Sequence, residues 1–368
     1  MALPQSFSMR VAGDKTVDVP SVGFGTWASD GSAPTTPAKP EWISDSLKTA
    51  LDVGYRYLEC AWFYGVDREI GKAIQEHGTP RSELFICSKV WPNFYHPDAV
   101  ELCCDKVLAG MQIQYLDCLL LHWPTAFEPI SLAGLKDVSA DNQASFAEKG
   151  MKLTDDGNIT IDWKHTSEPI ARAGGHPEGS IVPTWNAMKA LVAKGKVRAI
   201  GVSNFGIADL KALLPHAQDV PISMNQVEAH PWFHNTELVE FHNKHGIVTS
   251  CFSPFAGQKA DGKTLVHDQT VKKLAKKNDM DVGQLLQSWA VQRGTVPLGK
   301  SGNKGESSRI LLFYCVWLIE IADRIRTNFA IRRLSDEDQK MLDELEISDG
   351  KGRTIDFTEA WGVKLWQN

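Results

Sequence analysis

Strand-like and helix-like runs alternate along almost the whole chain, and this alternation limits the possible folds more than any single residue does. "SVGFG" precedes a helical run from about Trp42 to Val53, with Leu47, Ala50 and Leu51 on one face. "YRYLECA" precedes "DREIGKAIQEHG", and "LFICSKV" precedes "PDAVELCCDKVLAGM". "YLDCLLLHW", "VRAIGVSNF", "ISMNQVEAH", "IVTSCFSPF" and "TVPLG" continue the series, most of them followed by apolar residues at helical spacing. A short hairpin around "AGDK" comes first. Eight strand-helix units predict an α/β chain closed into a (β/α)8 TIM barrel.

A chain of 368 residues, 43% hydrophobic and 23% charged, can bury one large core, as a single barrel domain requires. The net charge of −6 gives no electrostatic reason to expect nucleic acid or an anionic membrane, so small molecules are the expected partners. Cys60, Cys87, Cys103, Cys104, Cys118, Cys251 and Cys315 form no C-x-x-C pair, and several sit in apolar runs. That pattern fits reduced core thiols and no metal centre. "MALPQSFSMR" has no apolar signal segment and "LWQN" is no retention or peroxisomal address, which leads us to expect a cytoplasmic monomer or homodimer.

Two segments break the rhythm. Residues 125–182 form a long insertion after the fourth strand, within which "MKLTDDGNITIDW" reads as a small hairpin on an Asp-Gly turn. The second is 305–322, "GESSRILLFYCVWLIEIA", whose apolar run is interrupted by Glu320 and falls short of the ~20 residues that span a bilayer.

In such a barrel, side chains at the C-terminal ends of different strands converge on one mouth. Glu59 ends the second strand, Tyr64 follows by a short loop, Lys89 ends the third and His122 ends the fourth. Singly, each reads more simply as a packed or solvated strand-end residue. Together, at successive strand ends, they read as a catalytic site.

The stretches "VGFGTW", "GYRYLECAWFYG", "ICSKVW", "LLLHWP", "KVRAIGVSNF", "MNQVEAHPWF" and "VPLGKS" occur in an order that resembles the aldo-keto reductases, over about residues 15–368. The resemblance implies Tyr64 as general acid, Lys89 as its activator, His122 as the group orienting a carbonyl, and Glu59 where the family normally has Asp. It also implies a C-terminal loop folded over the site. The chemistry agrees: a neighbouring ammonium is expected to lower the pKa of a phenol, and a buried ammonium needs a carboxylate. A neutral His122 can donate to the substrate oxygen. Two departures stand out. Glu59 is one methylene longer than Asp, and a misplacement of about 1 Å can cost ~10²-fold in rate. Val66 and Asp67 replace the Asn-Glu that commonly follows the tyrosine.

No side chain donates hydride, so a cofactor is required. The resemblance implies NADPH, with Ser203, Asn204 and Gln226 on the nicotinamide carboxamide, Phe252 stacked on the ring, and Lys300 and Ser301 at the 2′-phosphate. By itself "VSNF" reads equally well as a polar turn in which Ser or Asn caps a helix. "GTVPLGKS" matches the phosphate-loop pattern of NTP hydrolases, but that pattern must follow a strand, whereas "VGQLLQSWAVQR" before it is helical. The family spacing after Lys-Ser is restored only if 305–322 is removed, giving "KSGNKDRIRTN" and placing Arg324 and Asn328 at the phosphate and adenine. The segment therefore reads as translated intron, with a real inserted helix as the alternative.

Of twelve tryptophans, Trp27, Trp62, Trp91, Trp123 and Trp232 lie near strand ends, and Trp361 lies in the tail "FTEAWGVKLWQN". Tryptophans at a ligand mouth form large rigid apolar walls, although about half of them are expected simply to pack the barrel. Trp27, Trp62, Trp91, Trp123 and Trp361 are the expected pocket, suited to a bulky ketone or aldehyde such as a secondary-metabolite intermediate. A sugar or uronate aldehyde, or a non-catalytic NADPH sensor, are the other readings.

Overall fold

The computed structural model describes residues 2–27, 39, 42–141, 144–257, 259, 262–300 and 314–366, with 314–320 described by backbone alone. The hairpin is β1 (Ser6–Val11) against β2 (Lys15–Pro20), turning through Gly13 and Asp14 in left-handed conformations. Four barrel strands follow, β3 (Gly23–Gly25), β4 (Tyr57–Glu59), β5 (Phe85–Val90) and β6 (Leu116–Leu121). The insertion contributes the short antiparallel pair β7 (Ala126–Phe127) and β8 (Ile161–Asp162). The barrel then resumes with β9 (Val197–Ser203), β10 (Met224–Glu228), β11 (Val248–Phe252) and β12 (Val296–Gly299). β12 pairs in parallel with β3, which closes an eight-stranded barrel.

The helices are α1 (Trp42–Val53), α2 (Asp67–His77), α3 (Pro97–Met111), α4 (Glu168–Ala173), α5 (Val182–Ala193) and α6 (Ile207–Leu213), followed by α7 (Thr236–His245), α8 (Gln269–Lys277), α9 (Val282–Gln292), α10 (Tyr314–Phe329), α11 (Asp336–Asp343) and α12 (Thr358–Trp361). α3 shows why the sequence folds this way. Proline opens it, His96 Nδ1 accepts from the Asp98 amide at 3.3 Å, and Gln112 closes it with φ 55°. Val100, Cys103, Cys104, Val107 and Met111 are buried on one face at helical spacing. Complete burial of each Val or Met among them contributes about 1.5–3 kcal/mol. Gly71 of α2 sits so close to the end of α3 that a Cβ there would lie 2.3 Å from the Met111 carbonyl oxygen.

Met9, Val11 and Val19 of the hairpin pack with Tyr57, Phe85, Leu120 and Met224 of the barrel strands. The hairpin is therefore packed onto the barrel core, leaving the strands' C-terminal ends for the site. The six described cysteine side chains are free and buried.

In the insertion, residues 151–162 do form a hairpin: Leu153 pairs with Ile159, and Gly157 at φ 79° donates to the Thr154 carbonyl. Of 305–322, residues 305–313 lie outside the described residues. From Tyr314 the segment forms the first part of α10, with Ile321 buried near Ile325. Among the described residues no helix is long and apolar enough to cross a membrane.

Candidate active site

The ends of the barrel strands bring the four reactive side chains together. Glu59 is the last residue of β4, Lys89 lies in β5, and His122 follows β6 directly. Tyr64 arrives on a 3-10 turn, Trp62–Tyr64, closed by Gly65 at φ 62°. The ammonium of Lys89 is fully buried and has three acceptors: it pairs with Glu59 Oε1, donates to the Cys60 carbonyl at 2.9 Å and donates to Tyr64 Oη at 3.1 Å. A buried ammonium with all three N–H groups occupied is compensated as burial requires.

The phenol departs from expectation. Tyr64 Oη also lies 3.1 Å from Glu59 Oε1, to which it donates. Burial, then the charge of Glu59 and its hydrogen bond, hold Tyr64 well above the usual phenol range, so the net shift runs opposite to the one expected from Lys89 alone. Burial is the main reason, and the reach of glutamate, whose one oxygen touches both the ammonium and the phenol, adds to it. Burial and then the Lys89 charge push His122 well below the usual imidazole value, so its ring is neutral, and its Nδ1 has no partner among the described residues.

These groups open into a cavity of about 1010 Å³. Trp27, Trp91 and Trp123 line it, together with Phe63, Phe357 and Ile355. Phe63 stacks on Trp91 with centroids 3.8 Å apart and planes at 14°, and Phe146 of the insertion lies 6.2 Å further out. Trp62 is not on the lining. Successive side chains on a 3-10 turn point about 120° apart, so Phe63 and Tyr64 face the cavity while Trp62 is buried against Phe94. Trp361 is also set back: it stacks behind Phe357 at 4.9 Å and meets Trp123 edge-on. Trp232 packs elsewhere, with Leu265 and Trp289. Phe63, whose place beside Tyr64 in "WFYG" is a signal, and Phe357 and Ile355 of the tail are wall residues outside the expected pocket set.

Ser203, Asn204, Gln226, Phe252, Lys300, Arg324 and Asn328 line the same cavity, while Ser301 lies outside the described residues. Ser203 Oγ donates to the Gln226 carbonyl and Asn204 Nδ2 to the His122 carbonyl, so neither side chain caps α6; Asp209 accepts from the amide of Gly206, the residue before that helix. Of these groups, the acceptor Asn204 Oδ1 and the donor Gln226 Nε2 are buried with no partner among the described residues. A primary carboxamide carries the complementary donor and acceptor, so the pair fits a nicotinamide. Further along the cavity, burial and then Arg324 bring Lys300 down to about 8, marking two cations close together. Gly283 lines the same stretch, where a Cβ would lie 2.1 Å from Asn328 Oδ1. The strand before Lys300 is β12, and α9 precedes it, which is not the phosphate-loop arrangement.

Residues 21–347 match the Aldo/keto reductase family. The chain is 32% identical to glycerol 2-dehydrogenase (NADP(+)) of Hypocrea jecorina over 95% of each chain. It is also 32% identical to an aldehyde reductase of Saccharomyces cerevisiae, over 94% of this chain and 92% of the other. Its fold is similar to the aldose reductase of Giardia lamblia, with a TM-score of 0.71, 27% identity, and coverage of 95% of this chain and 98% of that one. With a closed barrel, a strand-end tetrad and a match over most of its length, the chain belongs to the aldo/keto reductase family, a family of oxidoreductases.

Proposed function

We propose that the protein reduces aldehydes and ketones to alcohols with NADPH, and that its substrates are bulky and apolar, of the kind found among secondary-metabolite intermediates. The observation that carries the reading is the Tyr64 hydroxyl, 3.1 Å from the Lys89 ammonium and facing a cavity walled by Trp27, Phe63, Trp91 and Trp123. NADPH would supply the hydride. Asn204 and Gln226 would hold its carboxamide, Phe252 would flank the ring, and Lys300 and Arg324 would meet the 2′-phosphate.

On this reading Tyr64 donates its O–H proton to the carbonyl oxygen. Neutral His122 orients that oxygen with an N–H, and Lys89 steadies the phenolate left behind. The stacked aromatic wall favours a flat or bulky apolar group over a small polyhydroxylated one. The names of the two fungal relatives, a glycerol dehydrogenase and an aldehyde reductase, agree with the carbonyl chemistry and leave the substrate open.

The test is NADPH oxidation with a panel of aryl, alkyl and sugar carbonyls, beside Tyr64→Phe. Tyr64→Phe should lose reduction by ~10²-fold or more while NADPH still quenches protein fluorescence with near-unchanged affinity. A Tyr64→Phe protein that kept its rate would remove Tyr64 from the role, and NADPH binding without turnover of any carbonyl would favour a sensor.

A further inference from the structure

Tyr64 is held between two opposite charges, and the donors and acceptors around it fix where its proton points. Lys89 has only N–H donors, so its 3.1 Å contact supplies a hydrogen bond to the phenol oxygen. The single phenol proton goes to Glu59 Oε1, also at 3.1 Å. The other groups facing the phenol do not compete for that proton. His122 is neutral, with its ring centroid 5.9 Å from that of Tyr64. The Cys60 thiol is pushed well above its usual range, burial being the main cause, and the Trp27 ring lies tilted with its centroid 5.2 Å away. Cys87 lies in the adjacent strand β5 and is buried.

We propose that Glu59, by accepting directly from Tyr64, holds the phenol in its protonated form and so sets the alkaline limit of carbonyl reduction. This rests on the reading of Tyr64 as the proton donor. In reduction the O–H proton leaves its hydrogen bond to Glu59 Oε1 for the carbonyl oxygen as hydride adds to the carbonyl carbon, and phenolate remains. In oxidation the phenolate takes the alcohol proton as hydride leaves for NADP(+). The carboxylate stabilises the phenol and the ammonium stabilises the phenolate. Glu59 therefore does more than neutralise Lys89. Its length matters: an aspartate, shorter by about 1.5 Å, cannot reach both Lys89 Nζ and Tyr64 Oη. The flexible lysine stem can follow the shorter side chain, whereas the phenol is fixed on its 3-10 turn.

The experiment is a pair of titrations on Glu59→Asp and the unsubstituted protein. Ultraviolet difference spectra, each taken against the matching Tyr64→Phe protein, follow ionisation of Tyr64 itself. The pH dependence of benzaldehyde reduction and benzyl alcohol oxidation follows its consequence. Glu59→Asp should lower the Tyr64 titration by about 1–2 units and move the alkaline fall of reduction down with it, because a hydrogen bond to a charged group is lost. Superimposable titrations, or an upward shift, would overturn the proposal. Should Glu59→Asp not fold, Glu59→Gln keeps the reach without the charge and should also shift Tyr64 downward; no shift there would overturn it equally. A downward shift in a protein that reduces no carbonyl would leave Glu59's hold on the proton standing and remove the reductase reading instead.

Discussion

Replacing Glu228 by alanine should loosen the C-terminal tail that supplies part of the cavity wall. Glu228 ends β10 and is 1% exposed, and its carboxylate accepts four hydrogen bonds. One comes from His230 Nε2 at 2.8 Å, two from the Thr354 amide and hydroxyl at 2.8 and 2.5 Å, and one from the Ile355 amide at 3.1 Å. Burial opposes its charge, but the bonds from His230 and Thr354 prevail and hold it below the usual carboxylate value. Three of the four donors belong to the tail, two residues before Phe357. Each bond to a charged acceptor is worth about 1.5–3 kcal/mol, but the amides can reach water once the tail lifts, so the net loss is about 3–5 kcal/mol. Trp361, Val363 and Leu365, all buried, still hold the tail with about 1.5–3 kcal/mol each. The tail should therefore stay docked on average and open about 10²-fold more often or more. Hydrogen exchange read at the amides of Thr354 and Ile355 measures this directly, and KM for a bulky carbonyl should rise more than kcat falls. Exchange at those two amides within about threefold of the unsubstituted protein would refute the reasoning. The sign with pH follows: a carboxylate with a depressed folded value stabilises above its unfolded pKa of about 4 and loses that stabilisation as pH falls through the folded value.

Two further outcomes follow from charges elsewhere in the structure. Arg324→Ala should raise KM for NADPH about 10- to 100-fold and leave KM for NADH nearly unchanged if, as proposed, its contact is to the 2′-phosphate alone; an unchanged ratio of the two would count against that assignment. Lys149, buried in the insertion with its ammonium 5.4 Å from the Phe63 ring centroid, is brought down to about 8, chiefly by burial. Because the unfolded chain binds this proton up to about 10.5, stability should rise with pH between those two values. Lys149→Met should abolish that rise and be the more stable protein at neutral pH, as urea unfolding at several pH values would show; parallel curves would contradict it.

The positions of Glu59, Lys89 and His122 could be read from the sequence because a parallel barrel puts the ends of its strands at the same mouth, whereas Ser203 and Gln226 followed only from the family resemblance. Each lies at or beside the end of a recognisable apolar run. Which aromatic residues face the ligand was not legible in the same way. Trp62, Phe63 and Tyr64 are consecutive, and only the 3-10 turn decides that the second and third face the cavity while the first enters the core. The tail's role was legible only in outline: Trp361 drew attention by its size, while Ile355 and Phe357, held in place by Glu228, form the wall.

By itself, then, the sequence determined the barrel, the mouth and the set of polar groups that meet there, because strand period and strand order are local properties repeated along the chain. The tertiary structure decided how those groups bond to one another. That Glu59 reaches Tyr64 as well as Lys89 depends on the spacing of β4, β5 and the turn between β4 and α2, a distance of about 3 Å set by three segments at once. No periodicity encodes such a distance, and here it determines where the phenol proton points.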